Sequence, residues 1–150
     1  MVLLAVFIIA CILVVILNKV SPVPIKEQYR HIPTISDKNS TLLMLINNER
    51  ILNGLPELIR EELLMSICEE KCNEMISTKS VNHDKFSDRF VKSHAQSLLE
   101  NVGYGYSTED SLFYAYMKSS GHKANILSRN TTHIGICTKQ QYNCCLFARY

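Results

Sequence analysis

The sequence predicts an α+β domain behind an apolar N-terminal segment. Three observations carry that expectation. Apolar residues recur at helical spacing through the middle of the chain, and two short β-rich runs flank a polar turn at its end. The run VLLAVFIIACILVVIL at 2–17 contains neither charge nor proline.

The segment 1–20 reads as a signal-anchor or a signal peptide. As a helix, 2–17 would be about 24 Å long, slightly short of a hydrocarbon core of about 30 Å. No basic residue precedes it, no A-x-A junction follows it, and the chain continues NKVSPVP. These features favour a retained membrane anchor, with a cleaved peptide as the alternative. Lys19, Lys26 and Arg30 lie behind the span and pull that side toward the cytosol. Residues 21–39, with SPVP, Pro33 and mixed charges, read as a linker.

The domain is expected over 40–150. Ser40 or Thr41 can cap a helix over LLMLINNERILN, with Leu42, Leu45, Ile46 and Leu52 on its apolar face and Gly54 as its stop. Pro56 opens a turn. A second helix, 61–77, is expected to bury Leu64, Ile67, Cys68, Cys72, Met75 and Ile76 and to expose Glu69, Glu70, Lys71 and Glu74. The stretch 81–87 is polar and irregular and holds His83. Phe90, Val91, Leu98 and Leu99 punctuate a partly helical stretch. Ser107 or Thr108 caps a helix through Lys118, with Glu109 and Asp110 in the first turn, where the helix dipole favours acids. A tight turn at 119–122 follows, and strands at 133–138 and 143–149 form a terminal hairpin.

The net charge of +2, spread without a basic run, gives no footprint for nucleic acid. Cys11 lies in the apolar run, which leaves Cys68, Cys72, Cys137, Cys144 and Cys145 for the domain. That odd set leaves at least one thiol free or paired between chains. Cys68 and Cys72, one helical turn apart, read as buried thiols, since a bridge within a helix would be strained. Cys137 could form a disulfide with Cys144 or Cys145 across the hairpin. A zinc site from Cys68, Cys72, Cys144 and Cys145 lacks the usual CxxC spacing. Asn39 and Asn130 begin glycosylation sequons. His31, His94 and His133 have no evident partner and read as surface residues.

His83, Glu100 and His122 are the residues best suited to chemistry. Two neutral imidazoles can hold zinc or a similar divalent ion, and a carboxylate can orient a ligand or take a proton from bound water. They are too far apart for a local metal motif, so only the fold can unite them. The alternative is that both histidines are loop residues satisfied by backbone groups.

Several stretches together resemble the CAP superfamily of cysteine-rich secretory, antigen 5 and pathogenesis-related proteins, also called SCP domains. They are Leu45-Ile46-Asn47-Asn48-Glu49-Arg50, Val81-Asn82-His83, Leu99-Glu100-Asn101-Val102, Tyr116 through Leu127, and Ile134-Gly135-Ile136. The last long element, with Gly121-His122 before Asn125-Ile126, is similar to the bacterial branch. The resemblance implies an α-β-α sandwich with a central antiparallel sheet and a cleft lined by His83, Glu100, His122 and Ser119. Ser119 stands where many members have a second glutamate, and Leu99 and Tyr116 stand where glycine and tryptophan are common. The expected function is therefore a binding module, membrane-anchored with an extracytoplasmic domain, or secreted if the leader is cleaved. Its partner would be a lipid, glycan, peptide or protein, and His83 and His122 would be the ligands of any zinc. The alternative is a metal-assisted hydrolase with Glu100 as general base.

Overall fold

The computed structural model describes residues 41–150, so the expected anchor at 2–17, the linker, Cys11, Asn39 and His31 lie outside the described residues. Among the described residues no helix is long and apolar enough to cross a membrane.

Helix α1 (Thr41–Leu52) begins where the sequence predicts a helix. Glu109, remote in sequence, accepts from the Leu42 N–H at 2.8 Å and satisfies one donor that a helix start leaves open. Leu42, Leu45 and Ile46 are buried, but Leu52 is exposed, against expectation. Arg50, two positions before the helix end, is buried instead. Its Nε donates to Pro56 O at 2.9 Å, and Nη1 donates to Ile126 O at 2.8 Å and Ser128 O at 2.9 Å. Gly54 then turns the chain at φ 68.

After the short strand β1 (Ile59–Arg60), helix α2 (Glu62–Thr78) carries the expected buried stripe of Leu64, Ile67, Cys68, Cys72 and Met75. Lys71 departs from its expected exposed place and is buried. Its ammonium donates to Asn82 Oδ1 at 2.8 Å and to Asp84 O at 3.3 Å, and pairs with Glu74. Those bonds supply the partners that a buried charge requires. Helix α3 (Phe86–Ser93) ends at His94, which is exposed in the left-handed region.

Leu98 and Leu99, expected in a partly helical stretch, belong to strand β2 (Ser97–Tyr104). Pairing with the C-terminal strand along the whole of β2 overrides the local pattern. Helix α4 (Glu109–Lys118) has a Thr108–Ser111 capping box. The expected turn at 119–122 is the start of helix α5 (Ser120–Ile126), with Ser119 as its N-cap. Strands β3 (His133–Lys139) and β4 (Tyr142–Arg149) form the terminal hairpin. Gln140 and Gln141 both have positive φ, the signature of a two-residue type I′ turn.

The strand order is β1-β3-β4-β2. β4 runs antiparallel to β2 and β3, but β1 is parallel to β3, so the sheet is mixed rather than wholly antiparallel. β1 and β3 are separated by most of the domain, and so long a connection permits parallel pairing. Gly135, Cys144, Leu146, Ala148, Leu98 and Val102 lie on the sheet face against α2. On the other face, Tyr116 of α4 donates to Asn143 Oδ1 at 2.5 Å.

The cysteines follow this division. Cys145 lies on the face toward Tyr116, whereas Cys137 and Cys144 lie opposite each other on the α2 face. Alternation along the strands therefore overturns a Cys137–Cys145 bridge, and all five cysteines of the domain are free thiols. The four-cysteine zinc set fails for the same reason, because Cys145 points away from the other three.

Candidate functional site

His83 reaches the site from the loop between α2 and α3. Lys71 holds that loop through Asn82 and Asp84, the two residues that flank His83. Asn82 Oδ1 also accepts from the Asp84 N–H at 3.1 Å, which closes a local turn.

Glu100 lies on β2, the edge strand, and its side chain is almost fully buried. His83 Nδ1 is 2.8 Å from Glu100 Oε1. Arg89 of α3 binds the same carboxylate twice, Nε to Oε2 at 2.6 Å and Nη2 to Oε1 at 2.9 Å. Arg89 Nη1 also donates to Asp84 O at 2.7 Å, so one guanidinium joins the strand, the helix and the His83 loop. An ionised carboxylate is an acceptor only, and each oxygen of Glu100 already has a close donor. With Glu100 accepting, His83 Nδ1 carries a proton, and in the neutral form of the ring the lone pair is on Nε2. The His83 side chain is 58% exposed, which leaves that nitrogen within reach of solvent.

His122 comes from α5. Asn101, next to Glu100 but on the opposite face of β2, donates from Nδ2 to His122 O at 3.1 Å. Asn125 Nδ2 donates to Asn101 Oδ1 at 2.7 Å and to Glu100 O at 3.1 Å. These amides fasten α5 to the edge strand. The Tyr116 ring meets the His122 ring edge-on at a centroid distance of 4.8 Å. Partial burial, and then the charge of His83, lower the His122 pKa from 6.5, so the imidazole is neutral at pH 7.

Ser119 is engaged as a cap, its Oγ accepting from the His122 N–H. It supplies no second carboxylate. Among the described residues no group of three or more His, Cys, Asp and Glu side chains is arranged to hold a metal ion. A closed four-ligand zinc site therefore does not fit this cleft. His83 and His122 remain the imidazole donors of the cleft, one held against Glu100 and the other against Tyr116.

The cysteine-rich secretory protein (CAP) family profile matches residues 43–147. The chain belongs to the CAP family.

Two Bacillus subtilis proteins are similar in sequence to this CAP protein. YkwD is 31% identical over 110 residues, covering 69% of this chain and 43% of that protein. The membrane protein YlbC is 26% identical over 123 residues, covering 77% of this chain and 35% of its own length. The chain thus spans less than half of either relative. An extracellular SCP-domain protein from Bacillus anthracis matches the fold with a TM-score of 0.70 at 21% identity, over 73% of this chain and 39% of its own. An outer surface protein from Borrelia burgdorferi matches with a TM-score of 0.67 at 18% identity, over 72% and 89%. YlbC is a membrane protein, the Bacillus anthracis protein is extracellular and the Borrelia protein lies on the outer surface.

Sequence reasoning picked out His83, Glu100, Ser119 and His122 but missed Arg89, Lys71 and the Asn101–Asn125 clamp. The sequence pattern places Lys71 on the exposed face of its helix, and it does not single out Arg89. The Asn residues fell within the family-like stretches, where their spacing from Glu100 and His122 was the available signal.

Proposed function

We propose that this CAP domain is a binding module whose cleft offers ring nitrogens of His83 and His122 to a divalent ion such as zinc. Remaining coordination positions would be filled by water or by a donor group of a lipid, glycan, peptide or protein partner. The observation that carries this reading is the bidentate Arg89–Glu100 pair. A general base needs a free lone pair aimed at bound water, whereas Arg89 and His83 occupy three of the roughly four acceptor sites of Glu100 and its side chain is only 2% exposed. Glu100 is better suited to fixing the His83 tautomer, the part that a carboxylate behind a metal-binding imidazole commonly plays. The absence of a carboxylate at Ser119 also weighs against a two-acid hydrolase.

The lowered His122 pKa favours metal binding at neutral pH, because protons then compete weakly for the ring nitrogen. Membrane anchoring through 2–17 would present the cleft at the cell surface. Calorimetric titration of zinc into the full-length chain in detergent tests the metal site. Micromolar binding that disappears in the His83→Ala/His122→Ala double variant is expected. Equal heats for both proteins would refute the site. Glu100→Gln should weaken zinc binding by roughly 10–100-fold while leaving a measurable site.

A further inference from the structure

We propose that Cys72 and Cys137 form a dithiol that a small-molecule disulfide oxidises to an intramolecular bridge, tying helix α2 to strand β3. Cys72 Sγ lies 3.4 Å from the carbonyl oxygen of Cys137 and 3.7 Å from that of Tyr142, so the Cys72 thiol reaches the backbone of β3 at Cys137 itself. Cys72 is fully buried, whereas Cys137 is half-buried. Cys137 lines an open groove of about 480 Å³ with Arg60, Met65, Glu69 and Thr138. One thiol is therefore accessible to a reagent, and its partner waits behind it.

The competing partner is Cys144, opposite Cys137 in the hairpin. Lys139 and Tyr142 close the two-residue turn as a hydrogen-bonded pair, and the alternation of an antiparallel ladder makes Cys137 and Cys144 another. Side chains of hydrogen-bonded pairs stand farther apart than those of the intervening pairs. Cys68 lies deeper in the core, beside Cys144.

Donation from Cys72 holds the Cys137 thiol below its ordinary pKa, with burial and Glu69 opposing and Lys139 assisting. A thiolate at Cys137 is the nucleophile that exchange requires. It attacks one sulfur of glutathione disulfide, the S–S bond breaks, and one glutathione leaves as its thiolate. Cys72 then gives up its proton to solvent and attacks Cys137 Sγ, which expels the second glutathione. The protein loses two electrons and two protons, and glutathione disulfide is reduced to two thiols. Hydrogen bonding to Cys137 is the first cause of the raised Cys72 pKa, and it is relieved once that sulfur is in a mixed disulfide.

The full-length chain in detergent is incubated with glutathione disulfide, alkylated and digested with trypsin without reduction. Cleavage at Arg60, Lys71, Lys79, Arg129, Lys139 and Arg149 places Cys68, Cys72 and Cys137 on separate peptides, and Cys144 with Cys145 on another. The expected product links 72–79 to 130–139, and dithiothreitol releases it. Cys144→Ala should preserve that link, and Cys72→Ser should stop at a glutathione adduct on Cys137. A link from 130–139 to 61–71 or to 140–149 would overturn the proposal. So would a wild-type chain that keeps glutathione on Cys137 or fails to react.

Discussion

Arg89 and Glu100 form a two-point ion pair inside the domain, with Nε–Oε2 at 2.6 Å and Nη2–Oε1 at 2.9 Å. The side chains are only 7% and 2% exposed, so neither charge can turn to water if the other is removed. The pair joins α3 to the edge strand, and its carboxylate also faces His83. Breaking such a pair from one side typically costs about 3–5 kcal/mol, because the remaining charge is left buried. Arg89→Ala should lose stability on that scale in urea unfolding. Arg89→Lys should lose less, since it keeps the charge but not the fork that meets both oxygens. A loss of under about 1 kcal/mol for Arg89→Ala would show that the pair does not hold the site together.

This pair also marks where the sequence stopped being legible. The helices around 41–52, 62–78 and 109–118 could be read because caps and apolar spacing are local signals, and the terminal hairpin because its runs alternate around a polar turn. Strand β2 could not be read in this way. Leu98 and Leu99 sit side by side, and the strand is stabilised by its ladder with β4, whose paired residues lie 38 to 52 positions away. His83, Glu100 and His122 were found through family-like stretches, yet nothing local tells that Arg89 turns inward. The same holds for Lys71, whose partners Asn82 and Asp84 become neighbours only once the loop folds back. Buried cations are invisible to a hydrophobic pattern.

His122 provides a pH test. Burial and the His83 charge lower its folded pKa below 6.5, so in the interval between the two values the unfolded chain binds more protons than the folded one. The stability linked to His122 is therefore complete above about 6.5 and is lost as pH falls through the folded value. In the metal-free chain, NMR titration should place the His122 midpoint below 6.5. His83→Ala should raise that midpoint without restoring the ordinary value, since burial is the larger cause. A midpoint at or above 6.5 in the unmodified chain would contradict this electrostatic picture.

Arg50 fixes the opposite side of the domain. Its guanidinium donates to the carbonyls of Pro56, Ile126, Ser128 and Thr131, which joins the turn after α1 to the end of α5 and the approach to β3. Arg50→Met keeps much of the apolar volume but leaves these acceptors without their donor, those of Ile126 and Thr131 in buried bonds and those of Pro56 and Ser128 in part-buried ones. Unsatisfied buried groups cost about 1–3 kcal/mol each, so a total loss of about 3 kcal/mol or more is expected in urea unfolding. Because α5 carries His122, zinc affinity should fall along with stability. Unchanged stability would mean that other donors replace the guanidinium.

Gly135 tests the contact between helix and sheet. A Cβ at this position would lie 2.3 Å from the backbone carbonyl carbon of Leu64 and 2.5 Å from its oxygen. The obstacle is main chain within α2, so a rotamer change cannot relieve it. Gly135→Ala must push α2 away from β3 and loosen Leu64, Cys68 and Leu146 together. Overpacking of this kind costs about 1–3 kcal/mol or more. Gly121→Ala is the matched control, because a Cβ there meets open space and alanine favours the helix in which it sits. Thermal melts should therefore rank Gly121→Ala at or above the unmodified chain and Gly135→Ala well below it. Equal melting of the two variants would mean that α2 can move off the sheet at little cost, against the close packing that positions the His83 loop.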